Sequence, residues 1–227
     1  MKLYRHAILA LILLALAFAC GGVTYPVAVP TTQTIDDNAA ASTVMLVAAD
    51  NYLVYCGAVK VDVRTLATAA HCLRDKDKNP LPLSTPVYYI THDGYEWGWY
   101  RNAAEICARD DIRDVALLCT TMAFSSWAAL KFEDLQRNEP ACAMHHSLGM
   151  PYEFACGVVA DIYDPAPELR EYFVTIHIRP GASGSGLWDR YGQLAGIAVR
   201  FNLYTGFGLY VSSAAIIDLL QLQTGTL

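Results

Sequence analysis

Beyond residue 43 the hydrophobic positions of this chain fall in short runs, not in long stripes. Val, Ile, Tyr, Phe and Leu are dense over residues 44–48, 53–59, 87–91 and 115–119, and again over 142–146, 155–162, 172–178, 194–201 and 207–211. Gly, Pro, Asp and Asn punctuate the intervals. Apolar runs of that length, bounded by turn residues, predict strands, and many of them in series predict an all-β sandwich or barrel. An acidic stretch near 133–139 divides the strands into two halves, and residues 74–86, with their charges and three prolines, read as a surface excursion. The period changes near the end, where Ile216, Ile217, Leu219, Leu220 and Leu222 recur at helical spacing. With Ser212 or Ser213 as a cap, this predicts a closing helix over 214–222, packed on the second half. Residues 21–42 are rich in Pro, Thr, Ala and Asp without a helical or strand-long apolar pattern, and they read as a tether.

The first residues have a different character. Lys2, Arg5 and His6 form a cationic start to the apolar run 7–19, which ends in Ala17-Phe18-Ala19. A run this short falls below a bilayer core of about 30 Å at about 1.5 Å per helical residue, and small residues at its end suit a signal peptidase. The expected organisation is therefore a signal peptide at 1–19, a tether at 20–42 and one domain at 43–227, with halves at about 43–130 and 131–227. Export is expected, to a secreted, periplasmic or membrane-anchored location. Of 227 residues, 54% are hydrophobic and 17% charged, enough for a large core. The formal net charge of -6 offers no basic stripe for phosphates, which argues against nucleic acid as a partner.

Seven cysteines, an odd number, leave one over in an exported protein. Cys20 directly follows the apolar run and precedes Gly21-Gly22. The arrangement resembles a bacterial lipobox, with Ala17 and Phe18 where Leu and a small residue are usual, and implies that Cys20 is acylated as the first mature residue, attaching the protein to a membrane. Ordinary cleavage before Cys20 or after Ala17 is the alternative.

Three segments bear chemistry, in the order Ala69-Ala70-His71-Cys72, Asp114-Val115-Ala116-Leu117-Leu118 and Gly181-Ala182-Ser183-Gly184-Ser185-Gly186. They supply an imidazole, a carboxylate and a hydroxyl, the groups that acyl transfer needs. Asp110 and Asp111 are rivals to Asp114, but they lie in a polar turn without a following apolar run and read as solvated acids. Cys107 and Cys119 flank that turn and could bridge its strands. Cys142 with His145 and His146 could be a zinc fragment, but no fourth ligand is evident and Cys156 offers Cys142 a disulfide partner. Trp97, Trp99, Tyr95 and Tyr100 form an aromatic cluster that reads as strand packing.

Over about residues 46–222, with 122–140 poorly matched, these segments resemble the chymotrypsin/trypsin-like serine peptidase family, and bacterial members in particular. The resemblance implies two antiparallel six-stranded β-barrels with a C-terminal helix. It implies a serine endopeptidase acting on polypeptides without a cofactor or metal, with His71 as base, Asp114 orienting it and Ser183 as nucleophile. The N–H groups of Gly181 and Ser183 would receive the oxyanion, and Cys56–Cys72 would clamp the histidine loop. His177, six residues before Ser183, would lie at the base of the specificity pocket, with Val199, Arg200 and Phe201 along its wall. Two departures stand out: Ala182 replaces the aspartate that captures a new N-terminus in trypsinogen-like zymogens, and Ser185-Gly186 replaces Gly-Pro. A catalytically silent binding module on the same fold, or an esterase, would share these residues.

Overall fold

The computed structural model describes residues 31–49, 53–91, 101–166 and 169–225. The signal-peptide segment, Cys20 and the aromatic cluster at 95–100 lie outside them. The described strands make two closed barrels. The first contains β1 (Thr43–Val47), β2 (Val54–Asp62), β3 (Thr65–Ala69), β4 (Pro86–Thr91), β5 (Asn102–Asp110) and β6 (Val115–Thr120), in the spatial order β1-β2-β3-β6-β5-β4. The second contains β7 (Pro140–His145), β8 (Glu153–Ala166), β9 (Leu169–His177), β10 (Gly186–Asp189), β11 (Leu194–Phe201) and β12 (Phe207–Ser212), in the order β10-β11-β12-β9-β8-β7. Every neighbouring pair among these strands for which a register is defined is antiparallel. This is the two-barrel, chymotrypsin-like architecture that the resemblance implied.

Closure explains why the runs are short. A barrel strand tilts across its wall, sends alternate side chains inward and then has to turn. Leu46, Ala58, Leu66 and Leu117 fill the first barrel, and Ala143, Val174, Leu187 and Tyr210 fill the second. Trp188, Leu194 and Ile197 extend the first core across to the second barrel, so the two halves share buried apolar surface. Strands β3, β5 and β10 escape the apolar-run reading because Thr, Asn, Glu and Arg, or plain brevity, break their pattern.

Residues 32–42 differ from the tether expected there. They form helix α1 (Thr32–Ser42), capped by Thr31 Oγ1, which accepts the Thr34 N–H at 3.2 Å. Ile35, Ala39 and Ser42 occupy one buried face at i, i+4 and i+7 and pack toward β2, β7 and β10. With one large apolar residue on that face, hydrophobic periodicity had little to register. Lys60 on β2 donates from Nζ to the Ala41 carbonyl at 2.7 Å, setting a cation at the negative end of the helix.

The closing helix α2 (Ser213–Thr224) is capped by Ser212 and ends at Gly225 in the left-handed region. It packs on β5 and β6 of the first barrel as well as on β11 and β12, and so straddles the halves where packing on the second alone was expected. The connector between the barrels is held by Lys131, whose Nζ reaches the fully buried Asp189 at 3.0 Å, while Asp189 Oδ1 accepts the N–H groups of Tyr191 and Gln193.

Candidate active site

His71 lies in the short 3-10 turn Ala70–Cys72 that ends β3, and Asp114 stands immediately before β6 with φ +57. The pairing of β3 with β6, which sets Ala69 opposite Val115, brings these two ends together. Asp114 then makes three contacts with the histidine turn. Its carbonyl accepts the Ala70 N–H at 3.0 Å, Oδ1 accepts the His71 N–H at 2.8 Å, and Oδ2 lies 2.7 Å from His71 Nδ1. The other imidazole nitrogen, Nε2, lies 2.8 Å from Ser183 Oγ. Carboxylate, imidazole and hydroxyl thus form one hydrogen-bonded chain across the junction of the barrels.

The rival carboxylates are otherwise engaged. Asp110 accepts the N–H groups of Ile112 and Arg113 and pairs with Arg113 Nε at 2.6 Å, and Arg113 also pairs with Asp218 on α2. Burial opposes the charge on Asp110, but the Arg113 backbone and guanidinium outweigh it and hold the carboxyl below its ordinary range. Asp111 is shared between Arg74 and Arg109, each at 3.2 Å. Asp111 is exposed, as expected of a solvated acid, although it pairs with two arginines, whereas Asp110 is drawn partly inward by Arg113.

Ser183 is placed by both barrels. Its carbonyl accepts the Gly57 N–H of β2 at 2.7 Å, and the Gly184 N–H donates to Ala198 of β11 at 2.7 Å. Thr68 on β3 donates from its hydroxyl to Gly57 O at 2.8 Å, tightening the same corner. Gly184 has φ +79, and a Cβ there would run into Gly57 O and Thr68 Oγ1, so the approach of the barrels itself requires glycine. Read from the sequence, Thr68 and Gly57 have no role of their own beyond belonging to the segments around His71 and Cys56; in the structure their part is to support the turn.

Gly181 has φ +100, and a Cβ on it would lie 2.6 Å from the His146 carbonyl. Among the described residues the N–H groups of Gly181 and Ser183 make no hydrogen bond. Gly181 and Ser183 line one cleft, of about 530 Å³, together with Tyr55, Cys56, His71, Cys72, Arg74, Pro180, Val199, Arg200 and Phe201.

His177 is the one implied pocket residue that does not line this cleft. Strand alternation explains its position. Ile176 and Ile178 are buried, so His177 between them turns outward, where its ring tilts over Phe207 at 4.8 Å. Arg200 lines the cleft but is ion-paired with the buried Glu171 of β9.

The bridges are Cys56–Cys72, Cys107–Cys119 and Cys142–Cys156. With Cys142 bonded to Cys156, and with His146 Nδ1 accepting the Tyr152 N–H at 3.0 Å, no zinc set assembles from Cys142, His145 and His146. Among the described residues one group of three metal-ligand atoms lies close together, at Cys56, His71 and Cys72, and its two sulfurs are bonded to each other. No helix among them is long and apolar enough to cross a membrane.

A family model described as a trypsin-like peptidase domain matches residues 55–197. Among curated proteins nothing matches the chain. Solved structures do. The inactive serine-to-alanine form of Rv3671c from M. tuberculosis H37Rv is 16% identical, with TM-score 0.68, covering 88% of this chain and 97% of that one. The HtrA-type protease AlgW with a decapeptide is 14% identical, with TM-score 0.70, covering 86% of this chain and 68% of that one. A serine endoprotease from Yersinia pestis is also 14% identical, with TM-score 0.67 and the same coverages.

Proposed function

This chain belongs to the trypsin-like peptidase family, and from that premise we propose that it is a serine endopeptidase working through His71, Asp114 and Ser183. The observation that carries the reading is the unbroken chain from Asp114 Oδ2 through the His71 ring to Ser183 Oγ, at 2.7 Å and 2.8 Å. With Nδ1–H donating to Asp114, His71 Nε2 is free to accept the hydroxyl proton as Ser183 Oγ attacks a substrate carbonyl. The carbonyl oxygen becomes an oxyanion within reach of the Gly181 and Ser183 N–H groups, and His71 then returns the proton to the leaving amine. An acyl-enzyme remains, and water activated by the same imidazole releases it.

Several features bear on substrate and location. Among the described residues no carboxylate lines the cleft, and Val199 and Phe201 present apolar walls, which supports cleavage after a small or medium apolar residue and not after Lys or Arg. Preference for Gln or Glu through Arg200 is the second choice. Three disulfides favour an oxidising compartment, in keeping with export of a peptidase domain at residues 43–227 behind a signal peptide and, where Cys20 is acylated, with membrane attachment.

Labelling with a fluorescent phosphonate, followed by profiling on a mixed peptide library, tests the reading. The wild-type chain is expected to label at Ser183 and to cleave peptides, and Ser183→Ala to do neither. Near-wild-type turnover by Ser183→Ala would show that the nucleophile is wrong, and an unlabelled, inert wild type would indicate a binding module.

A further inference from the structure

We infer that Ser147 and Leu148, in the turn after β7, are positioning residues that hold the Pro180–Gly181 peptide with its N–H facing the cleft; the inference rests on the peptidase reading for its catalytic meaning. Leu148 adopts φ 54 and ψ 27, a left-handed conformation that leucine rarely takes. Its side chain is 60% exposed, so core packing does not impose the conformation. What the conformation achieves is a backbone contact: the Leu148 N–H donates to the Pro180 carbonyl at 2.7 Å.

The consequence follows from peptide geometry. In a planar trans peptide the C=O and the following N–H point in opposite directions. Drawing the Pro180 carbonyl toward Leu148 therefore turns the Gly181 N–H the other way, into the cleft beside Ser183. A second contact grips the same segment, as Ser147 Oγ accepts the Arg179 N–H at 3.3 Å and lies 3.1 Å from Nδ1 of the buried His145. A third is steric, because the His146 carbonyl backs onto Gly181 at the place a Cβ would occupy. Three consecutive residues of one loop thus hold three consecutive residues before the nucleophile. Glycine at 181 makes the hold necessary, since its own torsions would permit the peptide to rotate. A half-turn of that peptide would point the Pro180 carbonyl at the site of the oxyanion, replacing a donor with an acceptor.

Leu148→Ile and Leu148→Gly separate this role from ordinary loop packing. Isoleucine keeps the N–H, but its β-branch is poorly tolerated at positive φ and drives the turn out of the left-handed region. Glycine keeps the N–H and accepts the conformation without strain. With a peptide substrate, Leu148→Ile is expected to lower kcat at least about tenfold, toward the 10²- to 10³-fold that removal of one oxyanion donor costs, with KM within about twofold. Affinity for a peptide boronate should fall by a similar factor. Leu148→Gly should rescue kcat to within about threefold of wild type, and Ser147→Ala should give a smaller loss in kcat alone. Crystal structures of the wild type and both Leu148 variants report the peptide's orientation whether or not the chain is active. Rotation of the Pro180 carbonyl in Leu148→Ile, but not in Leu148→Gly, supports the inference even if no peptide is cleaved, a case in which the peptidase reading alone fails. An unrotated carbonyl with full turnover in Leu148→Ile, or equal losses in the two variants, would overturn it.

Discussion

Replacing Asp114 by asparagine isolates the carboxylate's role, because asparagine has the same shape and tolerates the positive φ of +57 found there. The two carboxylate oxygens have different partners: Oδ1 accepts the His71 backbone N–H at 2.8 Å and Oδ2 faces His71 Nδ1 at 2.7 Å. In Asp114→Asn one of these positions becomes an NH2 donor. Placed on the backbone side it would meet another donor, so the amide oxygen stays there and the NH2 turns to Nδ1. Nδ1 must then accept, the ring proton moves to Nε2, and Ser183 Oγ faces a donor where it needs a base. To recover the working tautomer the amide must flip, leaving the His71 N–H unpaired at about 1–3 kcal/mol. The neutral amide also forfeits the charge-assisted bond to the imidazolium that forms during reaction, worth about 1.5–3 kcal/mol. Together these come to about 2.5–6 kcal/mol, or roughly 10²- to 10⁴-fold in kcat at about 1.36 kcal/mol per tenfold. Initial rates on a peptide substrate measure this, with thermal unfolding to show that the fold is retained. A stable Asp114→Asn protein with kcat within tenfold of wild type would refute the assignment.

Acid should destabilise the fold through His146, which burial, reinforced by neighbouring His145, pushes down to about 3. The unfolded chain takes up a proton near pH 6.5 that the native state refuses, so the stability present above that pH is lost as pH falls, by about 2 kcal/mol between pH 7 and 5. His145, lowered by burial against the pull of Glu153, adds in the same direction, whereas Glu171, raised first by its own burial, acts oppositely at lower pH. His146→Asn keeps an acceptor for the Tyr152 N–H and should flatten the slope in urea unfolding followed by tryptophan fluorescence; an unchanged slope would exclude His146 as the source. Lys131→Met, which strips the buried Asp189 of its cation, should cost about 3–5 kcal/mol in the same assay, with partial recovery in the double variant carrying Asp189→Asn. A loss under about 1 kcal/mol would mean that the pair does not hold the connector.

What the amino-acid sequence determined alone are features set by neighbours along the chain. Strand-length apolar runs, a serine cap at 212 or 213 on the final helix, and the small residues and glycines around His71 and Ser183 follow from side-chain alternation and backbone permissiveness within a few positions. The segments around His71, Asp114 and Ser183 and the Cys56–Cys72 bridge were read through the family resemblance, whereas Cys107–Cys119 and Cys142–Cys156, 12 and 14 residues apart, were suggested by the short segments they bracket. The tertiary structure decided what depends on register and closure. Whether His71 meets Ser183, 112 residues away, is settled by how β2 and β11 grip the Ser183 turn through Gly57 and Ala198, with Thr68 of β3 bonded to Gly57, backbone contacts that no residue type advertises. His177 faces outward because alternation commits Ile176 and Ile178 to the core, a choice of face that strand periodicity permits but only barrel closure makes. Helix α1 exists because β2, β7 and β10 offer a surface for Ile35 and Ala39; a stripe so weakly apolar has little reason to fold without that surface, since short helices draw most of their stability from packing.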